Sequence, residues 1–346
     1  MPLPELTDRE RRVLEAVIQS YVETAQPAGS NAIARKFGLG VSPATIRNTM
    51  SDLEEKGLLY HPHTSAGRVP TDVAYRVYVD SLLPLKRKPT REHDQLSSQI
   101  TSGGSAVEAI LQRAAQSLGV ITQELGIALG PRLESSVVDR LELVRLSSER
   151  LLVAITLSGG VVKTIFVEAR AELADEAVVE VARLLNERIG GLTLREIRQS
   201  VAARLRDSGP TPVAMELLNI FIEEGEQLFD SAMQGDADVL LGQATLLADQ
   251  PEFSSVDNLR KLVALTETRE HLADFLKARS DTPGITITIG NEHRDPRLEN
   301  FTVVTAQYHS GSVAGVIGVI GPTRMSYDKV ISLVTHTSRL LTDLLD

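Results

Sequence analysis

The chain has 346 residues, 42% of them hydrophobic and 24% charged, with a formal net charge of -10 and no cysteine. That length implies two or three domains with substantial cores, and the composition excludes a disordered chain, disulfides and thiolate chemistry. No uninterrupted apolar run is long enough to span a membrane, and the charged start (Glu5, Asp8, Arg9, Glu10, Arg11, Arg12) is not a secretory leader, so a cytoplasmic protein is expected. The acidic total hides an asymmetry: residues 1–88 hold 12 Lys and Arg against 10 Asp and Glu, and the remaining 258 hold 24 against 36. Only the N-terminal quarter suits phosphate, and its excess is small enough that productive binding needs two copies.

Thr7-Asp-Arg-Glu10 has the pattern of a capping box, and Val13, Leu14, Val17, Ile18, Tyr21 and Val22 keep helical period, predicting a first helix from about Asp8 to Thr24. Gln26-Pro-Ala-Gly29 breaks it. Ser30 is expected to cap a short second helix with Ile33, Ala34 and Phe37 on one side, and Gly38-Leu-Gly40 turns into a third. In that third helix Ser42 caps, Pro43 takes the first position and Gly57 closes. Ile46, Met50 and Leu53 form its anchored face, while Ala44, Arg47, Asn48 and Ser51 lie toward the other. Asn can bond both edge atoms of adenine and Arg those of guanine, and small residues allow close approach. Asp52, Glu54 and Glu55 would repel phosphate, so such a helix enters a major groove with its N-terminal half leading.

Leu58 to His61, a tip at Thr64-Ser-Ala-Gly67 and Arg68-Val69 predict a two-stranded wing, completing a winged helix-turn-helix. Ser42, His63 and Arg68 are expected to position the DNA backbone, and Arg47 and Asn48 to contact bases with support from Thr45 and Ser51. His61 and His63, one apart in a strand, point to opposite faces with no third ligand nearby, so no metal is expected. Tyr75 and Tyr78, in a helix opened by Thr71, are assigned to core or interface, and Pro84-Leu-Lys-Arg-Lys-Pro89 to a basic linker.

Beyond the linker a helix from Val107 to about Thr122 precedes strands at Leu141–Leu146, Leu151–Leu157 and Val161–Val167, the last two joined by a turn at Ser158-Gly-Gly160. A helical block follows to about Ala248, with breaks at Gly190-Gly191, Ser208-Gly-Pro210 and Gly235. A long helix from about Val256 to Lys277, strands at Ile285–Ile289, Phe301–Gln307 and Val313–Ile320, and a closing helix from Ser326 to Leu345 complete the chain. Strands on either side of a helical block suggest one mixed α/β domain with a helical insertion. Gly315, Gly318 and Gly321 do not fit a dinucleotide fingerprint and are read as close sheet packing. The loop Gly290-Asn-Glu-His-Arg-Asp-Pro296 is read as solvated. Phosphate-loop, zincin and nucleophile-elbow motifs are missing, which speaks against an enzyme.

Two stretches, "PAGSNAIARKFGLGVSPATIRNTMSDLEEKGLLYHPHTSAGRVPTDVAYRVYVDSLL" from Pro27 to Leu83 and "GVIGPTRMSYDKVI" from Gly318 to Ile331, resemble the HrcA family of heat-inducible transcription repressors. The chain departs slightly from that pattern at Ala28, Pro43 and Thr49. The resemblance implies a multidomain α+β protein: a winged helix (1–88), a discontinuous GAF-like α/β domain (105–171 and 249–346) and an inserted dimerising domain (172–248). It further implies a non-enzymatic homodimer without cofactors that represses chaperone operons at the inverted-repeat CIRCE operator on double-stranded DNA. The GroEL chaperonin would keep it active. Two other classes fit the residues alone: a metabolite-responsive regulator with a ligand in the GAF-like domain, and an enzyme carrying a regulatory winged helix.

Overall fold

The computed structural model describes residues 4–63, 67–82, 91–103, 106–131, 133–158, 161–169, 173–233, 239–267, 269–311 and 313–345. Residues 64–66 of the expected wing tip at 64–67, the linker at 84–89, the turn glycines 159 and 160 and the break at Gly235 lie outside them.

The first helix, α1 (Asp8–Thr24), begins at the expected capping box: the Glu10 amide donates to Thr7 Oγ1 at 3.3 Å and the Thr7 amide to Glu10 Oε2 at 2.8 Å. Helix α2 (Ser30–Phe37) is capped by Gly29 rather than by Ser30, which is already its first residue. The third helix, α3 (Pro43–Glu55), starts as its punctuation dictates, with the Thr45 amide on Ser42 Oγ at 3.1 Å, and Gly57 takes a φ of +72° just beyond its end. Strands β1 (Leu59–Tyr60) and β2 (Val69–Pro70) pair antiparallel as the wing. Helix α4 (Asp72–Val77) runs on into a widened π-turn at Tyr78–Leu82.

After α5 (Arg91–Thr101) and α6 (Val107–Thr122) comes β3 (Leu125–Leu129), the first strand of a five-stranded antiparallel sheet. The chain then leaves that sheet. Strands β4 (Val138–Arg145), β5 (Arg150–Leu157) and β6 (Val162–Glu168) form a separate meander, followed by α7 (Asp175–Ile189), α8 (Leu194–Arg206), α9 (Pro212–Glu223) and α10 (Gly225–Met233). It returns to the first sheet with β7 (Val239–Leu241), then α11 (Thr245–Ala248), α12 (Val256–Glu267), α13 (Arg269–Ser280), β8 (Ile285–Ile289), β9 (Phe301–Ser310), β10 (Val313–Pro322) and α14 (Tyr327–Leu345). The sheet order is β7-β3-β10-β9-β8.

Sheet membership differs from the sequence expectation. The strands at 138–168 were expected to share a domain with those at 285–320, and the insertion to begin only at 172. Instead Val153, Ile155, Ile165 and Val167 are buried against Val181, Leu185, Ile197, Leu217 and Phe221 of the helices that follow, in a core of their own. The whole segment between β3 and β7 is therefore one inserted unit. Strand β7, inside the expected insertion, belongs to the five-stranded sheet. The expected long helix at 256–277 is helical on both sides of residue 268, over α12 and α13.

The five-stranded sheet is covered on both faces. Ala128, Val304, Ala306, Ile317 and Val319 meet α6 and α14, while Ile127, Val303, Val316 and Ile320 meet the side of α12 and α13. All five residues of β3 are buried, which erases the alternation that identifies a strand. Helix α6 and β3 come together at backbone distance, since a Cβ on Gly126 would stand 1.8 Å from the Ala115 carbonyl oxygen; within the sheet, one on Gly318 would stand 2.1 Å from the Val304 carbonyl oxygen of the neighbouring β9. The glycines of β10 do serve close packing. A Cβ on Gly321 would fall 2.1 Å from Glu124 Oε2, so this glycine makes room for a buried carboxyl.

Glu124 is 4% exposed, and burial pushes its pKa well above the ordinary carboxylate range, against the Gln250 amide and Arg324, which pull it down. A carboxyl that protonates more readily when folded costs nothing below its unfolded pKa, where both states are protonated. It destabilises progressively as pH rises from there toward the folded value. Glu124→Gln should therefore leave the melting temperature unchanged near pH 4 and raise it by a margin that grows toward neutral pH. A constant difference across that range in a thermal melt series would contradict this assignment.

Candidate nucleic-acid interface

Helix α3 is seated by Ile46, Met50 and Leu53, at 0%, 3% and 0% exposure, against α1 and α2. Thr49 joins this face: it is 4% exposed and its hydroxyl donates to the Thr45 carbonyl at 3.1 Å. Fixing these four positions turns Ser42, Pro43, Ala44, Arg47 and Asn48 to the outside, all exposed. The side chains of Arg47 and Asn48 make no hydrogen bond or ion pair among the described residues, so their donors are free for a partner. Thr45 is half-buried with its hydroxyl 3.0 Å from Ser42 Oγ, and Ser51 Oγ bonds back to the Arg47 carbonyl at 3.2 Å. The six residues from Ser42 to Asn48, apart from Ile46, thus form one polar, low-relief surface led by the N-terminus of the helix, where exposed amides favour an anion.

The acidic end has a structural job. Glu54 Oε2 holds the Arg68 guanidinium at 2.8 Å and Oε1 sits 2.9 Å from His61 Nδ1, so one carboxylate ties both strands of the wing to the recognition helix. The wing is fixed from its other side as well. The backbones of Ala28 and Arg68 exchange hydrogen bonds at 2.8 and 2.9 Å, and a Cβ on Gly67 would stand 2.4 Å from the Ala28 carbonyl oxygen. Only glycine lets the strand come that near.

The predicted residues fall into two groups. Ser42, Thr45, Arg47, Asn48 and Ser51 share one stretch of helix, and His63 is exposed at the base of the wing. Arg68 is different. Its side chain is 11% exposed and engaged by Glu54, with Ser51 Oγ at 3.5 Å, so in this conformation it braces the wing instead of extending toward a phosphate. Sequence reasoning missed Glu54 as the brace. It also missed the Lys56 ammonium, which pairs with Glu10 at 2.7 Å and donates to the Glu5 carbonyl at 3.0 Å, fastening the end of α3 to the start of α1. With the Lys56 and Thr7 donors around it, the Glu10 carboxyl is held below its ordinary pKa.

The loop at 290–296, expected to be solvated, is a docking element. Asp72 Oδ2 accepts from the Asn291 amide at 3.0 Å and from its side chain at 2.9 Å, and Arg76 forms a paired contact with Glu292, Nε to Oε1 at 2.7 Å. Tyr75 and Tyr78 pack on Tyr327, with ring centroids 5.6 and 6.5 Å away, as the core-or-interface assignment anticipated. Among the described residues, no group of three or more His, Asp or Glu could hold a metal ion, and no helix is long and apolar enough to cross a membrane.

A three-helix core, a braced two-stranded wing and an outward helix face of unpartnered Arg and Asn define a winged-helix DNA-binding protein. Residues 5–81 match the family described as the winged helix-turn-helix transcription repressor, HrcA DNA-binding, and residues 108–331 the HrcA protein C terminal domain. The chain belongs to the HrcA family of heat-inducible transcription repressors. It is 38% identical to the heat-inducible transcription repressor HrcA of Chlorobium chlorochromatii over 100% of this chain and 99% of that one. Identity is 39% to that of Chlorobium phaeobacteroides (97% of each) and 34% to that of Geobacter sulfurreducens (99% of each). A crystal structure of a hypothetical protein, 25% identical, superposes with a TM-score of 0.68 over 99% of each chain. These relatives are repressors, and the protein is accordingly a DNA-binding regulator rather than an enzyme.

Proposed function

We propose that the protein acts in the cytoplasm as a homodimer that represses chaperone operons by binding the inverted-repeat CIRCE operator, and that the GroEL chaperonin maintains its active form. The observation that carries this reading is the outward face of α3, where Arg47 and Asn48 stand exposed with no internal partner among the described residues. Arg47 and Asn48 contact base edges, Thr45 and Ser51 support them, and Ser42 and His63 meet the backbone. Arg68 serves that backbone contact indirectly, by holding the wing against Glu54. The winged helix reads one half-site, and a twofold axis supplies the second.

The five-stranded unit is assigned as GAF-like and the segment inserted between β3 and β7 as the dimerising domain. The outer face of the meander supports the latter: Val144, Leu146, Val162 and Phe166 are 45%, 52%, 56% and 59% exposed, an apolar surface of the kind that marks interaction sites. The test is fluorescence anisotropy of the protein on a labelled CIRCE duplex and a scrambled duplex, across salt, with and without the chaperonin. Selective binding strengthened by the chaperonin is expected. Equal, weak and salt-sensitive binding to both duplexes would sink the operator reading and direct attention to a ligand for the GAF-like domain.

A further inference from the structure

The DNA-binding head is not tethered loosely to the rest of the chain; it is clamped from two sides. On one side α4 presents Asp72 and Arg76 to the loop after β8. Asp72 takes the Asn291 amide, and Arg76 grips Glu292 and also donates to the Ile287 carbonyl at 2.7 Å, on the edge strand of the sheet. On the other side Arg324, between β10 and α14, donates to the Val22 carbonyl in the last turns of α1 at 2.7 Å while its second edge is held by Glu252 at 3.0 Å. The Tyr327 ring lies between these fasteners, against Tyr75 and Tyr78. The loop is shaped for this contact: Gly290 has a φ of +49°, and a Cβ there would be 2.1 Å from the Asp72 carboxylate. One contact would leave the head free to swivel. Two polar contacts, on α1 and on α4, together with the apolar packing through Tyr327, remove that rotation.

A dimer that reads an inverted repeat must place two recognition helices in successive turns of the major groove on one side of the duplex. Each added base pair rotates the second half-site by roughly 34–36° about the duplex axis. A rigid junction between head and body tolerates one phase, whereas a loose one tolerates several at lower effective concentration. We propose that the two-sided clamp is a spacing ruler: Asp72, Arg76, Glu292 and Arg324 are positioning residues that select the half-site separation the repressor accepts. This rests on the dimeric operator-binding reading given above. None of the four residues belongs to the outward face of α3.

The experiment uses the full chain and a series of inverted-repeat duplexes whose spacer changes by one base pair at a time through a full helical turn, together with a duplex holding a single half-site. The protein is compared with Asp72→Ala/Arg76→Met, with Arg324→Met, and with the charge-reversed pair Arg76→Glu/Glu292→Arg. For the unaltered chain, affinity is expected to fall about tenfold or more when the spacer is half a turn out of phase. In the clamp variants that fall should shrink to about threefold or less, with half-site affinity unchanged within about twofold. Arg76→Glu alone, measured alongside, should lose the narrow profile, and the charge-reversed pair should recover part of it, because the Arg76 bonds to the Ile287 carbonyl and Asp80 are not rebuilt. That comparison carries the test if either truncation disturbs folding, because a purely structural defect would not move a spacer profile and then return it.

A sharp profile that stays sharp in every clamp variant would overturn the ruler and leave the operator reading intact. Variants that bind every spacing more tightly by one common factor would also overturn it, since the clamp would then be restraining the head. Failure of the operator reading has its own signature: the unaltered chain would bind operator and scrambled duplex alike.

Discussion

Arg47→Ala is expected to weaken operator binding by about 1–3 kcal/mol for each base that the arginine reads. In the proposed twofold complex two such bases are read, so the penalty is about 2–6 kcal/mol, which is roughly 30-fold in Kd at the lower bound. The protein itself should be almost untouched. Arg47 is exposed and its side chain has no partner among the described residues, so its removal breaks no internal bond and should change stability by less than about 0.5 kcal/mol. Anisotropy titrations on operator and scrambled duplex, each at several salt concentrations, separate the two roles this residue can play. Removing a base-reading arginine lowers affinity for the operator and spares affinity for random sequence. An equal drop on both duplexes, with the salt slope reduced by about one per site, would show a phosphate contact instead.

Gly126→Ala is expected to be the most damaging small substitution in the C-terminal part of the chain. The methyl group would be placed 1.8 Å from the Ala115 carbonyl oxygen and 3.0 Å from the Gly119 amide nitrogen, both backbone atoms of α6 that no rotamer change can move. Relief requires α6 to lift from β3, opening the packing that buries Ala114, Ala115, Leu118 and Ala128. Overpacking costs typically about 1–3 kcal/mol, and a rigid backbone obstacle places this change at or above the upper end. A melting temperature lowered by roughly 6–12 °C follows for a unit of this size. Gly242→Ala is the internal comparison. Its Cβ would be 3.1 Å from the same carbonyl, a spacing that a few tenths of an ångström relieves, so it should cost far less. Equal effects from the two substitutions would show that the helix can retreat freely.

What the sequence reveals and what it conceals follow the range of the interactions. The capping box at Thr7, the Ser42 cap and the Gly57 closure are settled within a few residues, and α1 and α3 begin and end close to where that local chemistry places them. The exposure of Arg47 and Asn48 follows from helical period alone once Ile46, Met50 and Leu53 are identified as the anchor. Glu54 illustrates the opposite case. Its charge is legible as a liability near phosphate, but its use is not, because the partner that explains it lies 14 residues away on a wing strand. Arg68 is legible as a cation beside the wing tip and illegible as one held back by a carboxylate, for the same reason.

The larger misplacement, of the strands at 138–168, concerns which apolar face answers which. Alternation marks β5 and β6 as strands with one buried face, yet that face is satisfied equally well by a sheet partner or by α7–α10, and periodicity does not distinguish the two. Strand β3 escapes notice because burial on both sides removes alternation, and β7 because three residues carry no period. The loop at 290–296 passes for a solvated one since Asp72 and Arg76, which give Asn291 and Glu292 their purpose, are more than 200 residues earlier.

The apolar interior of the head does not stop at the head. Val17, Ile33, Ile46 and Leu53 belong to the same continuous cluster as Tyr75, Tyr327, Val330 and Val319, whereas the inserted unit keeps a cluster to itself. Cooperative unfolding follows contiguous packing. The chain therefore has its seam of opening between the inserted unit and the five-stranded sheet, and none between the DNA-reading helices and the sheet. Amide protons on α3 should exchange in step with those on α14, at the far end of the chain, sooner than in step with those on α8. A repressor built this way surrenders its grip on DNA and the order of its C-terminal sheet in a single event, while the inserted unit can outlast both.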